Sequence, residues 1–380
     1  CEPFLIEKNC NDNDFLKRNE RSSIFSSCGR FKEGKDKDEI IRMLESTLYL
    51  NNEQSISKSQ AFTAIGQSSK SITIIENLIN TQDLSPNLIC AYTQSLSFSN
   101  GLGLSKAIKQ IEWALEKYIN RSIYHEAIRL YILAGAYKKC LKILQTAKNN
   151  NIQIGEMQLR KTYFGNRLIR KALETFTDIT LKKHLLKYTQ NKYIANLNEL
   201  DSLQNSSIFF VAVYGPGDEI RFASIYSDIR SNYGISNKLY ISCSPKLFPI
   251  LERSFPDVFF IPTERLRGFE NMNLDNYSKV RGSDLIQLMD NRGADVLEES
   301  DNVVMVTDLL HKYLPDYESF SGISYLENDV EKTQFFKSVL PKNKKLIGIS
   351  WRSSLSTHSR NEHYLSVEEL APLFDINGVV

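Results

Sequence analysis

The sequence has no apolar run approaching the roughly 18 residues that a membrane-spanning helix needs, and no charged, apolar and small-residue succession of the secretory kind. Its 6 cysteines (Cys1, Cys10, Cys28, Cys90, Cys140 and Cys243) include no Cys-x-x-Cys pair and no histidine at zinc spacing. Neither a disulfide framework nor a metal site is therefore expected. Charge of one sign is also lacking: the formal net charge is +2, with 24% charged residues of mixed sign. Nothing in that balance attracts nucleic acid. The absences together predict a soluble, cytoplasmic chain with no membrane span and no nucleic-acid partner.

What is present is length and a change of period. A chain of 380 residues has room for about two or three domains and at least one sizeable core. Residues 1–36 mix charge, Asn and Ser without a sustained period and predict an irregular segment. Residues 37–200 turn helical, with apolar residues three and four apart in "SITIIENLI", "AIKQIEWALEKY", "HEAIRLYILAGAYKKCLKILQTA" and "RLIRKALETF".

Three helical pairs, Leu88 to Tyr118, Tyr124 to Asn150 and Met157 to Ile179, share a layout with small residues at Ala107, Ala136 and Ala172. Their spacing of roughly 30–36 residues resembles tetratricopeptide repeats, which stack into a solenoid with a concave face for a protein partner. "NGLGLS" at Asn100 has no strand before it and is expected to be the turn inside one hairpin.

After Asn205 short apolar runs alternate with helical patterns: "SIFFVAVY", "KLYIS", "VFFIP", "VVMVT" and "KLIGISW". That alternation predicts an α/β part with a parallel sheet and helices on both faces. In such sheets ligands bind beyond the carboxyl ends of the strands. The first strand runs into "GPGDEIRF", where Gly215 and Gly217 permit close backbone approach. There is no P-loop Lys or Ser/Thr and no complete Gly-x-Gly-x-x-Gly, and Asp218 and Glu219 would repel a phosphate. The turn is built either to present a carboxylate or simply to start a helix with an acid, an effect of about 1 kcal/mol.

A second loop, "RSSLSTHSRNEHYLS" from Arg352, gathers cations and hydroxyls after the "KLIGISW" strand, before a helix opened by Ser366-Val-Glu-Glu369. Such groups suit a diphosphate, and they suit a polar surface loop equally.

In order and spacing, "GPGDEIRFASIYSDI", "SPKLFPILERSFPDVFFIP", "VVMVTDLL" and "KLIGISWRSS" are similar to bacterial glycosyltransferase-like domains of the heptosyltransferase-like GT-B group that follow tetratricopeptide repeats. The resemblance covers residues 208–380. It implies α plus α/β architecture: a helical-repeat array, a Rossmann-like acceptor-side domain at 206–343, and the start of a donor-side Rossmann-like domain at 344–380. It implies hexosyl or heptosyl transfer, inverting and metal-independent, from a nucleotide-sugar donor to a glycan, lipid or protein acceptor, with no cofactor. Asp218 matches the general base. Gly215, Gly217 and Glu219 fall at the substrate, while Trp351, Arg352, Ser353, Ser354 and Arg360 fall at the donor phosphates. The donor-side domain is expected to continue beyond Val380, and a start at Cys1 rather than Met fits a truncated chain more simply than a lipid-modified mature N-terminus.

Two other readings stand beside transfer. One is an interaction scaffold with an inactive transferase-like domain. The other is a different sugar-nucleotide enzyme of the same fold, such as an epimerase.

Overall fold

The computed structural model describes residues 41, 42, 44–46, 51–99, 101–176, 180–266, 273–281, 284–342, 345–350, 365 and 367–376. These divide into two packing units, with boundaries at Gly155–Glu156 and Ser338–Val339.

The first unit contains six consecutive helices: α1 (Asn52–Ala64), α2 (Ser68–Ile79), α3 (Pro86–Ser97), α4 (Gly103–Lys117), α5 (Arg121–Leu133) and α6 (Tyr137–Asn149). Each packs on the next, and α1, α3 and α5 pack on one another in a row. Local chemistry sets their starts. Asn51 and Gln54 form a reciprocal capping box before α1, and Ser85 accepts from Leu88 N before Pro86 opens α3. The turn expected at "NGLGLS" separates α3 from α4. It needs glycine: a Cβ on Gly103 would lie 2.2 Å from the Leu96 carbonyl oxygen.

Helix α1 carries almost no apolar stripe, and the sequence period passes over it. Its inward side carries Ala61 and Phe62 toward Leu44 and Ile65, and beside them two buried hydroxyls, Ser59 and Thr63. Ser71 Oγ lies 2.7 Å from Ser59 Oγ, 2.8 Å from Thr63 Oγ1 and 2.6 Å from Ser95 Oγ, a buried knot joining α1, α2 and α3. Glu126 continues the theme between α3 and α5. Buried, it accepts from Thr93 Oγ1 at 2.9 Å and takes Arg129 on both oxygens.

The second unit is a four-stranded parallel sheet with helices on both faces. Its elements are α7 (Glu156–Gly165), α8 (Ile169–Glu174), α9 (Thr180–Thr189), α10 (Leu197–Asp201), β1 (Ser207–Val211), α11 (Pro216–Phe222), α12 (Tyr226–Tyr233), β2 (Lys238–Cys243), α13 (Phe248–Ser254), β3 (Phe259–Pro262), α14 (Asn291–Glu299), β4 (Asn302–Met305) and α15 (Val306–Tyr313). The strand order is β3-β2-β1-β4. Phe209 is registered with Tyr240 of β2 on one side and Val303 of β4 on the other.

The apolar run after Ser207 is continuous because both faces of β1 are covered. Ile208, Phe210 and Ala212 meet Phe176, Phe222, Tyr226 and Leu309, whereas Phe209, Val211 and Val213 meet Leu185, Leu288 and Met289. Burying each phenylalanine contributes about 1.5–3 kcal/mol.

The helical period of the sequence ends near residue 200, but the packing boundary lies at Gly155–Glu156. Helices α7–α10 sit with the sheet because Ile169, Leu173, Phe176 and Leu200 join its core. Beyond α15, α16 (Val330–Val339) buries none of its residues, and α17 (Val367–Phe374) follows. The strand expected at "KLIGISW" is not formed: residues 346–350 belong to no strand, and Leu346 and Ile347 stay about half exposed. Apolar β-branched sequence makes a strand only where a partner completes the ladder.

Candidate functional site

The strand order reverses direction at β1, with β2 on one side and β4 on the other. That is the topological switch point, where open parallel sheets bind ligands beyond the strands' carboxyl ends. The Gly-Pro-Gly-Asp turn leaves β1 at this point.

Tyr214, the last residue before the turn, has φ of 73°. The left-handed region is strained for a bulky residue and clusters at functional positions. Its ring packs edge-on against Phe176 and Phe222, at centroid distances of 5.8 and 6.4 Å. Burial pushes its hydroxyl pKa up, against the pull of the nearby Arg160. Two arginines approach Phe176, Arg160 at 3.4 Å and Arg221 at 6.0 Å from the ring centroid.

The adjacent carboxylates part company. Asp218 is partly exposed in the first turn of α11, and its Oδ1 accepts from Arg221 Nη2 at 2.8 Å. Glu219 is buried, with Oε1 accepting from Arg265 Nη1 at 2.6 Å and Oε2 from Ser244 N at 2.7 Å. Both its oxygens are thus occupied within the protein. Glu219, expected at the substrate, instead points into the protein toward the segments that follow β2 and β3. Gly215 is the N-cap of α11 with extended backbone, and a Cβ on Gly217 would meet nothing within 4 Å. The space beside Gly217 is open.

Trp351, Arg352, Ser353, Ser354 and Arg360 lie outside the described residues, as does Ser366 of the expected capping box. Among the described residues no group of His, Cys, Asp and Glu is arranged to hold a metal ion, and no helix is long and apolar enough to cross a membrane.

One cluster escaped sequence reasoning. β4 ends at Met305, and the expected strand residues Val306 and Thr307 instead open α15, which buries Asp308 in its first turn. Asp308 Oδ2 accepts from Lys182 Nζ at 2.8 Å and from Tyr193 OH at 2.5 Å. Asp308 Oδ1, Thr307 Oγ1 and His311 Nδ1 are buried without a hydrogen-bond partner among the described residues. Burial pushes the Asp308 carboxyl up, although Lys182 and Tyr193 pull it down. Burial likewise lowers the pKa of His311. The only signal in the sequence was an acid directly after a buried strand in "VVMVTDLL". Lys182 and Tyr193 are more than a hundred residues away along the chain.

Comparison with protein-family models gives no match, and comparison with curated proteins likewise gives none.

Proposed function

We propose that the chain contributes to transfer of a sugar from a nucleotide-sugar donor to an acceptor hydroxyl, inverting and without an obligatory metal, with Asp218 as general base. The observation that carries this reading is the placing of Asp218: an accessible carboxylate in the turn after the central strand, beside the open space at Gly217. A base must lie within hydrogen-bond reach of the hydroxyl it deprotonates. An acceptor beside Gly217 would compete with Arg221 for the Asp218 oxygen. Arg352, Ser353, Ser354 and Arg360 would hold the departing diphosphate in this reading.

The helical pairs support a second role, a tetratricopeptide-type scaffold for a protein partner. Helices α1, α3 and α5 begin at residues 52, 86 and 121 and pack in a row. That step of about 34–35 residues is the period of such repeats. The Asp218–Arg221 pair suits an inactive domain, in which Asp218 only starts a helix.

Release of nucleoside diphosphate from a panel of sugar nucleotides, for the full-length protein as wild type and as Asp218→Asn, separates the two. Transfer predicts release that falls by about a hundredfold or more in the variant. Equal release, or none from wild type, supports the scaffold.

A further inference from the structure

Three loops at the carboxyl edge of the sheet are tied by one ion pair. Arg265, after β3, donates through Nη1 to Glu219 Oε1 at 2.6 Å and to the Tyr214 carbonyl at 3.3 Å. Its Nε donates to the Leu288 carbonyl at 3.3 Å. Ser244, after β2, donates its backbone N–H to the other Glu219 oxygen at 2.7 Å. The Glu219 amide donates to the Gly215 carbonyl at 2.9 Å, which closes the turn on itself.

This arrangement accounts for the strained residue. With φ of 73°, Tyr214 directs its carbonyl to Arg265 and its ring to Phe176 and Phe222. Such a conformation persists only where the surroundings over-determine it. An apolar pair could fill the volume of Glu219 and Arg265, but it would offer Tyr214 no donor. Asp218 is held only by the partly exposed Arg221 among the described residues, so its place follows from that of its neighbour.

We propose that Glu219 and Arg265 are positioning residues: together they fix the Tyr214–Gly217 turn and thereby set where Asp218 stands at the carboxyl edge of the sheet. The proposal rests on the catalytic reading of Asp218 for its functional meaning, but its structural core is testable alone.

The test uses nuclear magnetic resonance on the full chain, as wild type, Glu219→Gln and Arg265→Lys. In the folded variants the Tyr214 ring signals, shifted by Phe176 and Phe222, and the Gly215 and Gly217 amides are expected to move, while those of Ile208 and Val304 stay. A pair that only adds stability would lower the melting temperature and leave all folded-state signals in place, which would overturn the proposal. Wild type supplies a check that needs no variant. The Glu219 and Ser244 amides should exchange with solvent only as slowly as the strand amides, and fast exchange in both overturns the clamp. Where wild type releases nucleoside diphosphate, both variants are expected to lose about a hundredfold in kcat with KM little changed. An unchanged kcat sinks the functional half. Absence of release from the full-length wild type sinks the transferase reading, and the loop signals still decide the clamp.

Discussion

Asp218 and Glu219 are chain neighbours, yet Asp218 keeps 41% of its side chain exposed while that of Glu219 keeps 1%. One turn of α11 therefore carries an exposed carboxylate paired with Arg221 and a buried one paired with Arg265.

Their substitutions should separate accordingly. Asp218→Asn should change unfolding free energy by less than about 1 kcal/mol, because exposed ion pairs contribute little. Glu219→Gln should destabilise by about 3 kcal/mol, since it leaves the buried Arg265 without its counter-charge. Chemical denaturation measures both, and equal effects would contradict the division of labour.

Lys182 and Asp308 form a second buried pair, with side chains 15% and 6% exposed. Lys182→Met should cost about 3 kcal/mol, whereas Lys182→Met combined with Asp308→Leu should recover part of that loss. A double variant less stable than the single one would show that Asp308 has partners more important than Lys182.

His311 gives a pH signature. Its pKa lies below the ordinary 6.5 because burial disfavours the charged ring. As pH falls through 6.5, the unfolded chain takes up a proton that the folded His311 does not, so stability declines with acidification until the lowered value is passed. Asp308, with its raised pKa, acts in the opposite direction nearer its ordinary 3.8. Glu174, Arg170, Asp308 and Lys182 all bear on the ring. Melting curves between about pH 7 and pH 5.5 should therefore fall more steeply for wild type than for His311→Gln.

Two glycines test space against function. Gly103→Ala forces a Cβ to within 2.2 Å of the Leu96 carbonyl oxygen and should destabilise by about 1–3 kcal/mol. Gly217→Ala meets nothing within 4 Å and should fold normally. Its loss of transfer activity, with melting temperature unchanged, would mark close approach of a ligand at that position.

The packing boundary also makes a forecast. A fragment of residues 156–338 should unfold cooperatively, and one beginning at residue 206 should not. The shorter piece lacks Ile169, Leu173, Phe176 and Leu200, and so exposes one layer of the sheet's core. Cooperative melting of both fragments would contradict that core assignment.

By itself the sequence determined the class: a helical part followed by alternating strands and helices, with a Gly-Asp turn at the end of the first strand. Those features are local, set by apolar spacing and by what Gly, Pro and Ser permit at turns and caps. Ile208 to Val213 declared a strand buried on both faces because no polar residue interrupts it. Only the tertiary structure decided which neighbouring carboxylate stays exposed. Asp218 and Glu219 are equivalent until Arg265 and Ser244, brought in by β3 and β2, claim one of them. Helix α1 lacks an apolar stripe because half of its buried residues are hydroxyls, Ser59 and Thr63, whose partners come from α2 and α3. The Lys182–Asp308–Tyr193 cluster joins groups more than a hundred residues apart. Spacing along a chain cannot specify such pairs, because the low-dielectric surroundings that select them exist only after the sheet and its covering helices have closed over one another.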